Sequence, residues 1–131
     1  MKERSSFEWK TATSFGKAMP PMRVNSAAAV CNNSAWLIGG KGVGLSNEVW
    51  RFPLDDHDNL EWECEKTFGD PPLVRDSHSL TYIGGDKLLL FGGQGLHNDN
   101  DRTLRQTKTQ TYKVFQSREL FNDTHIFDCA K

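Results

Sequence analysis

The sequence predicts an all-β fold of about two four-stranded antiparallel blades. Three observations carry that expectation. Landmark residues recur once along the 131-residue chain in fixed order. Each recurring unit divides into short apolar or alternating runs bounded by Gly, Pro, Asn and Asp, which read as strands and turns. No segment sustains the apolar period of a long helix.

The repeat is visible landmark by landmark. Phe7-Glu8-Trp9 aligns with Leu60-Glu61-Trp62, and Phe15-Gly16 with Phe68-Gly69. Pro20-Pro21-Met22-Arg23 aligns with Pro71-Pro72-Leu73-Val74-Arg75, and Gly39-Gly40 with Gly92-Gly93. Asn47-Glu48 and Phe52 align with Asn122-Asp123 and Phe127. The spacing between equivalent landmarks is about fifty residues, within the range of blade-forming repeats.

The elements follow in chain order. Residues 7–13 and 60–66 each carry a Trp and are expected as outer strands. Residues 26–31 and 77–83 follow the Pro-Pro turns and are expected as inner strands. Residues 35–38 and 87–91 are apolar runs that end in Gly-Gly, and residues 48–52 and 123–127 alternate. Glycine pairs suit the narrow centre of a radial array, because they tolerate unusual backbone angles and close approach. By this reading residues 1–15 supply the outer strand of a preceding blade. Residues 16–67 form a first repeat. Residues 68–131 form a second one, which lacks its outer strand and carries a long loop over 94–121. A connection of that length is normally functional or disordered. Its stretch 107–115 alternates and is expected as an extra hairpin arm.

Composition narrows the function classes. Hydrophobic residues make up 37% and charged residues 25%, with a formal net charge of −1. That balance argues against a whole-surface basic field for nucleic acid, and no apolar run is long enough for a membrane span. The charged start, Met1-Lys2-Glu3-Arg4, is no secretory signal. The cysteines Cys31, Cys64 and Cys129 are odd in number and lack paired spacing, so free thiols and a cytoplasmic or nuclear location are expected. His57, His78, His97 and His125 show no metal-ligand spacing. His78 opens an inner strand, where a structural hydrogen bond is the default. Asp99-Asn100-Asp101 lacks the Gly and terminal Glu of a calcium loop. No nucleophile elbow or phosphate-cradling loop is present. No cofactor and no catalysis are expected.

The series Trp, Pro-Pro…Arg, strand into Gly-Gly, then Asn-Glu or Asn-Asp before a strand resembles the kelch repeat over nearly the whole chain. That resemblance implies a β-propeller of radially packed four-stranded sheets, of which this chain would be an incomplete part. Among its members it is similar to the kelch-domain substrate receptors of cullin-2 ubiquitin ligases, which read C-terminal glycine ends of proteins. The shared features are Ala29-Val30-Cys31, Leu60-Glu61-Trp62-Glu63 and the length of the second Gly-Gly loop. The resemblance implies that Arg118 and Phe121 help hold a peptide's terminal carboxylate and glycines, an Arg fork being suited to a carboxylate. Two positions depart from it: Gln94 stands where those receptors have Tyr, and Ser77 where they have Lys, with Arg75 close by.

Strand alternation places the turns 16–23 and 69–76 on the same side as the loops 41–47 and 94–121. One face is therefore expected to collect Arg23, Arg75, Ser77, Gln94, Arg118 and Phe121 as peptide-binding candidates. Trp9, Trp62, Gly39, Gly40, Gly92 and Gly93 are expected to serve the repeat itself. The expected partner is a protein or C-terminal peptide, with elongin and cullin-2 subunits engaged through regions outside this chain. Two alternatives compete: a segment of a kelch-type enzyme, an oxidase or sugar epimerase, and a truncated copy with no function of its own.

Overall fold

The computed structural model describes residues 6–12, 18–55, 61–98 and 116–130. All regular structure within them is β: the strands are β1 (Ala27–Cys31), β2 (Ser34–Lys41), β3 (Leu45–Pro53), β4 (Glu63–Glu65), β5 (Ser79–Tyr82), β6 (Lys87–Phe91), β7 (Gln94–Asn98), β8 (Gln116–Leu120) and β9 (Thr124–Asp128). Every strand pairing is antiparallel. Strands β1-β2-β3-β4 make a four-stranded first sheet, β5-β6-β9 a three-stranded second sheet, and β7-β8 a separate ribbon. Among the described residues, no helix is long and apolar enough to cross a membrane.

The alternation of each strand decides what it buries. In the first sheet, Ala29, Cys31, Trp36, Ile38 and Val49 share one face. In the second, Leu80, Leu88, Leu90 and Phe127 share one face. These two faces meet, so the core lies between the sheets. The Trp36 and Phe127 rings cross that seam edge to face, with centroids 5.1 Å apart. Cys31 and Cys129 bring their sulfurs to 2.7 Å across it, and both are free thiols. Burial, together with the neighbouring thiol, pushes Cys129 up to about 12.

Backbone hydrogen bonds join the two units as well. Gly40 N donates to the Arg75 carbonyl (2.9 Å), Arg75 N to Ser46 (3.1 Å) and Ser77 N to Asn25 (2.8 Å). His78 Nε2 donates to the Ile38 carbonyl at 2.8 Å. That contact explains Gly39: with φ at +73°, a Cβ there would lie 2.6 Å from His78 Cε1.

Two expected elements can be compared with the structure. Of the outer strand expected over 1–15, residues 6–12 form no strand and make no strand pairing with the other described residues, and Trp9 is fully exposed, while 1–5 and 13–15 lie outside the described residues. The span 94–121 is not one open loop: its two ends form the β7-β8 ribbon, with Gln94 opposite Leu120 and Leu96 opposite Arg118. The stretch 107–115, expected as a hairpin arm, lies outside the described residues, as does Asp99-Asn100-Asp101.

Candidate functional site

The repeated Arg, Gly-Gly and acidic positions converge on one construction, built twice. In the first repeat, Arg23 donates from Nε to the Pro21 carbonyl (3.1 Å), from Nη1 to the Gly39 carbonyl (3.0 Å) and from Nη2 to Glu48 (3.1 Å). In the second, Arg75 donates from Nε to Leu73 (3.0 Å) and from Nη1 to Gly92 (2.9 Å). Its two Nη atoms grip both Asp123 oxygens at 2.6 and 2.8 Å. A guanidinium fork can satisfy a turn carbonyl, a strand-end carbonyl and a carboxylate together. Arg75 holds Asp123 far below the usual carboxylate range, and His125 adds to the effect. Glu48 is lowered by hydrogen bonds from Trp50 and then from Arg23.

Each construction has a further member that sequence reading missed. Trp50 Nε1 donates to Glu48 at 3.1 Å, and His125 Nε2 donates to Asp123 at 2.8 Å. Both stand two residues after the acid. Trp and His do not look equivalent in an alignment, but each offers a ring N–H there.

These bonds occupy the donors of two binding candidates. The Arg75 side chain is 1% exposed and the Arg23 side chain 8% exposed. Their donors serve internal carbonyls and carboxylates, a scaffold contact in each unit. Phe121 belongs with them. Its ring covers the Arg75 guanidinium at 4.3 Å and packs where a Cβ on Gly95 would fall. The four landmark glycines Gly39, Gly40, Gly92 and Gly93 all have positive φ. Trp62 packs against Phe52, centroids 4.9 Å apart, just before β4.

Gln94 and Arg118 meet where the end of the first sheet faces the β7-β8 ribbon. Asp76 and Gln94 form a two-bond backbone bridge, each N donating to the other's carbonyl at 2.9 Å. It repeats the bridge between Val24 and Lys41 in the first unit. Gln94 Nε2 (3.0 Å) and Ser77 Oγ (2.8 Å) both donate to Asp76 Oδ1. Lys41, Leu45, Asp76, Gln94, Leu96 and Arg118 line a shallow groove at this point. Arg118 is exposed and has no ion-pair partner among the described residues. The structure thus brings Arg118 and Gln94 to one groove, with Ser77 bonded to its Asp76; Arg75 is buried with Phe121 over its guanidinium, and Arg23 lines a separate cavity of about 330 Å³ with Met22, Val43 and Val74.

A larger cavity of about 490 Å³ lies elsewhere, at the outer rim between the sheets, lined by Trp36, Arg51, Phe68, Ile126 and Phe127 among others. Among the described residues, no group of three His, Cys, Asp or Glu side chains is placed to hold a metal ion.

Comparison with known proteins bears on this geometry. The chain is 37% identical over 95 residues to Adagio-like protein 1 of Oryza sativa subsp. japonica, an alignment covering 70% of this chain and 15% of that protein. It is 27% identical over 99 residues to an F-box/kelch-repeat protein of Arabidopsis thaliana, covering 69% of this chain and 21% of that one. It is 29% identical over 91 residues to Host cell factor of Drosophila melanogaster, covering 66% and 6%. The chain therefore spans a small part of the length of the relatives it matches. Among solved structures, that of YjhT superposes with a TM-score of 0.60 at 17% identity, covering 88% of this chain and 32% of that one, a likeness of fold. No protein-family model matches.

Proposed function

We propose that this chain, whose relatives support the kelch family, is a protein-binding segment that takes a protein or C-terminal peptide in the groove between its first sheet and the β7-β8 ribbon. The observation that carries this reading is Arg118, an exposed guanidinium without an ion-pair partner among the described residues, beside Leu45 and Leu96 at the groove. An unpaired guanidinium over apolar walls suits a carboxylate that ends a small-residue peptide. Lys41 adds a second cation at the rim. Asp76 is the acid nearby, and Gln94 and Ser77 already occupy its Oδ1.

At the finer level, we infer a substrate-recognition role in a ubiquitin ligase, in the cytoplasm or nucleus, as a binder rather than a catalyst. Adaptor contacts of the elongin and cullin-2 type would use regions outside this chain. The pairing of an F-box with kelch repeats in one relative's name supports this level.

The test is fluorescence polarisation with peptides ending in glycine, each prepared with a free and an amidated C-terminus. Arg118→Glu is expected to weaken binding of the free-acid peptide roughly tenfold or more, the scale of a lost charge-assisted hydrogen bond. Its melting temperature should stay unchanged, because the side chain is exposed. Equal binding of amidated peptides, or no effect of Arg118→Glu, would remove the carboxylate reading.

A further inference from the structure

Two buried thiols meet at the seam with their surroundings already arranged for a bond between them. Cys31 is 3% exposed and Cys129 5% exposed, and their sulfurs lie 2.7 Å apart. The two residues stand 98 positions apart in sequence. Packing of the second sheet on the first is what brings them together. Sulfurs in a disulfide stand about 2.05 Å apart, so only a small shift separates this contact from a bond.

The backbone holds both residues in place. Cys31 ends β1 opposite Ser34, and its carbonyl accepts a hydrogen bond from Trp36 Nε1 at 2.9 Å. Cys129 N donates to the Asp86 carbonyl at 2.8 Å, and the Cys129 carbonyl accepts from Asn32 Nδ2 at 2.9 Å. That last bond ties the residue after Cys31 to Cys129 itself. Oxidation would also strand no polar group here. The Cys129 thiol donates to the Asp86 carbonyl at 3.0 Å, and when its proton departs the Cys129 N–H still occupies the same carbonyl. A buried acceptor that keeps a partner escapes the desolvation penalty. Cys64 has no place in this arrangement, because it is exposed and lies on β4.

We propose that Cys31 and Cys129 form a redox-controlled covalent staple across the seam, closed by exchange with a small disulfide such as oxidised glutathione. One cysteine, as its thiolate, attacks a sulfur of the oxidant and expels one glutathione thiolate. The other gives up its proton to solvent, attacks the first cysteine's sulfur in the mixed disulfide and expels the second glutathione. The pair loses two electrons and two protons, and one oxidised glutathione becomes two reduced ones. Both sulfurs are buried, so each exchange waits for local opening of the seam. Reopening is slow in turn. The Cys129 thiol holds its proton tightly, and such a thiol leaves a disulfide poorly. In a reducing compartment the pair rests as thiols, and the staple closes only on an oxidising excursion. The loop it closes runs from β1 to just beyond β9, so it restrains the unfolded chain over most of its length.

The experiment equilibrates the 131-residue chain in glutathione buffers stepped from fully reduced to fully oxidised. Samples are quenched in acid, alkylated in denaturant and mapped by peptide mass spectrometry. A linked Cys31–Cys129 peptide pair is expected while reduced glutathione is still in excess, because the sulfurs already touch. Cys64 should be recovered alkylated or carrying glutathione. After removal of glutathione, the linked chain should melt about 10 °C or more above the reduced chain, the scale for a loop of this length. Cys129→Ser should abolish both the link and the rise. The main comparison is the wild-type chain with itself, so it does not depend on the variant folding. Glutathione adducts at Cys31 or Cys129 in place of the link overturn the proposal. So do free thiols at both positions in the fully oxidised buffer, or a linked chain that melts no higher than the reduced one.

Discussion

Arg23 and Arg75 show how one side chain can explain a whole repeat signature. Each guanidinium ties a Pro-Pro turn to the first glycine of a Gly-Gly pair and to the acid that follows Asn47 or Asn122. The positions recur in register because the same three acceptors must be met in each unit. That register was legible in the sequence. The job of the arginines was not, because exposed and internal guanidinium groups look alike until the partner carbonyls are placed. Arg75→Ala should cost about 3 kcal/mol, because it strips a bidentate grip on Asp123 and the bond to the Gly92 carbonyl from a fully buried side chain. Arg23→Ala should cost less, about 1 kcal/mol, because Glu48 is a single, half-exposed partner. Urea denaturation of the two variants checks the order. Arg75→Lys should rescue little, since an ammonium cannot grip both oxygens of Asp123.

At the scale of elements, short strands could be read from their bounding Gly, Pro and Asn residues, and β2, β3, β6 and β9 fall within a few residues of the expected runs. The β7-β8 ribbon was harder to read. Its arms, Gln94–Asn98 and Gln116–Leu120, are polar and far apart in sequence, so neither carries a strong alternation of its own. The Gly-Gly pair near the end of β2, where the register with β3 shifts, offers a sharp test of why it is required. A Cβ on Gly39 would meet His78, whose ring is fixed by its bond to the Ile38 carbonyl. Gly69 also has positive φ, at +87°, but a Cβ there meets nothing within 4 Å. Gly39→Ala should therefore cost about 2 kcal/mol or more, and Gly69→Ala about 1 kcal/mol from backbone strain alone. Thermal melts of the two variants separate close approach from strain.

For the whole molecule, the seam between the sheets sets the response to acid. His78 lies in that seam with its Nδ1 buried and unpartnered, and burial holds its pKa below the usual value of about 6.5. The unfolded chain therefore takes up a proton first. His78's contribution to stability is complete above about pH 6.5 and is lost as pH falls toward the lower folded value. Asp123 follows the depressed-carboxylate pattern. Its contribution is present above the unfolded carboxylate range, about pH 4, and declines as pH drops below it. Melting temperature should thus fall in two stages on acidification, and His78→Gln should flatten the first stage only. The location of this seam could not be read from composition, because each sheet alone looks like any half-buried antiparallel meander.

The seam also has a consequence in time. Cys31 lies on the first strand and Cys129 near the last described residue, 98 positions apart, yet their sulfurs touch. Asn32 donates to the Cys129 carbonyl across almost the same span, at 2.9 Å. On a ribosome adding about 5–20 residues per second, the face that carries Cys31 and Trp36 emerges roughly 5–20 s before the last strand that completes its cover. Until that strand arrives the core is incomplete, and any factor that shields apolar β-surface has that long to act.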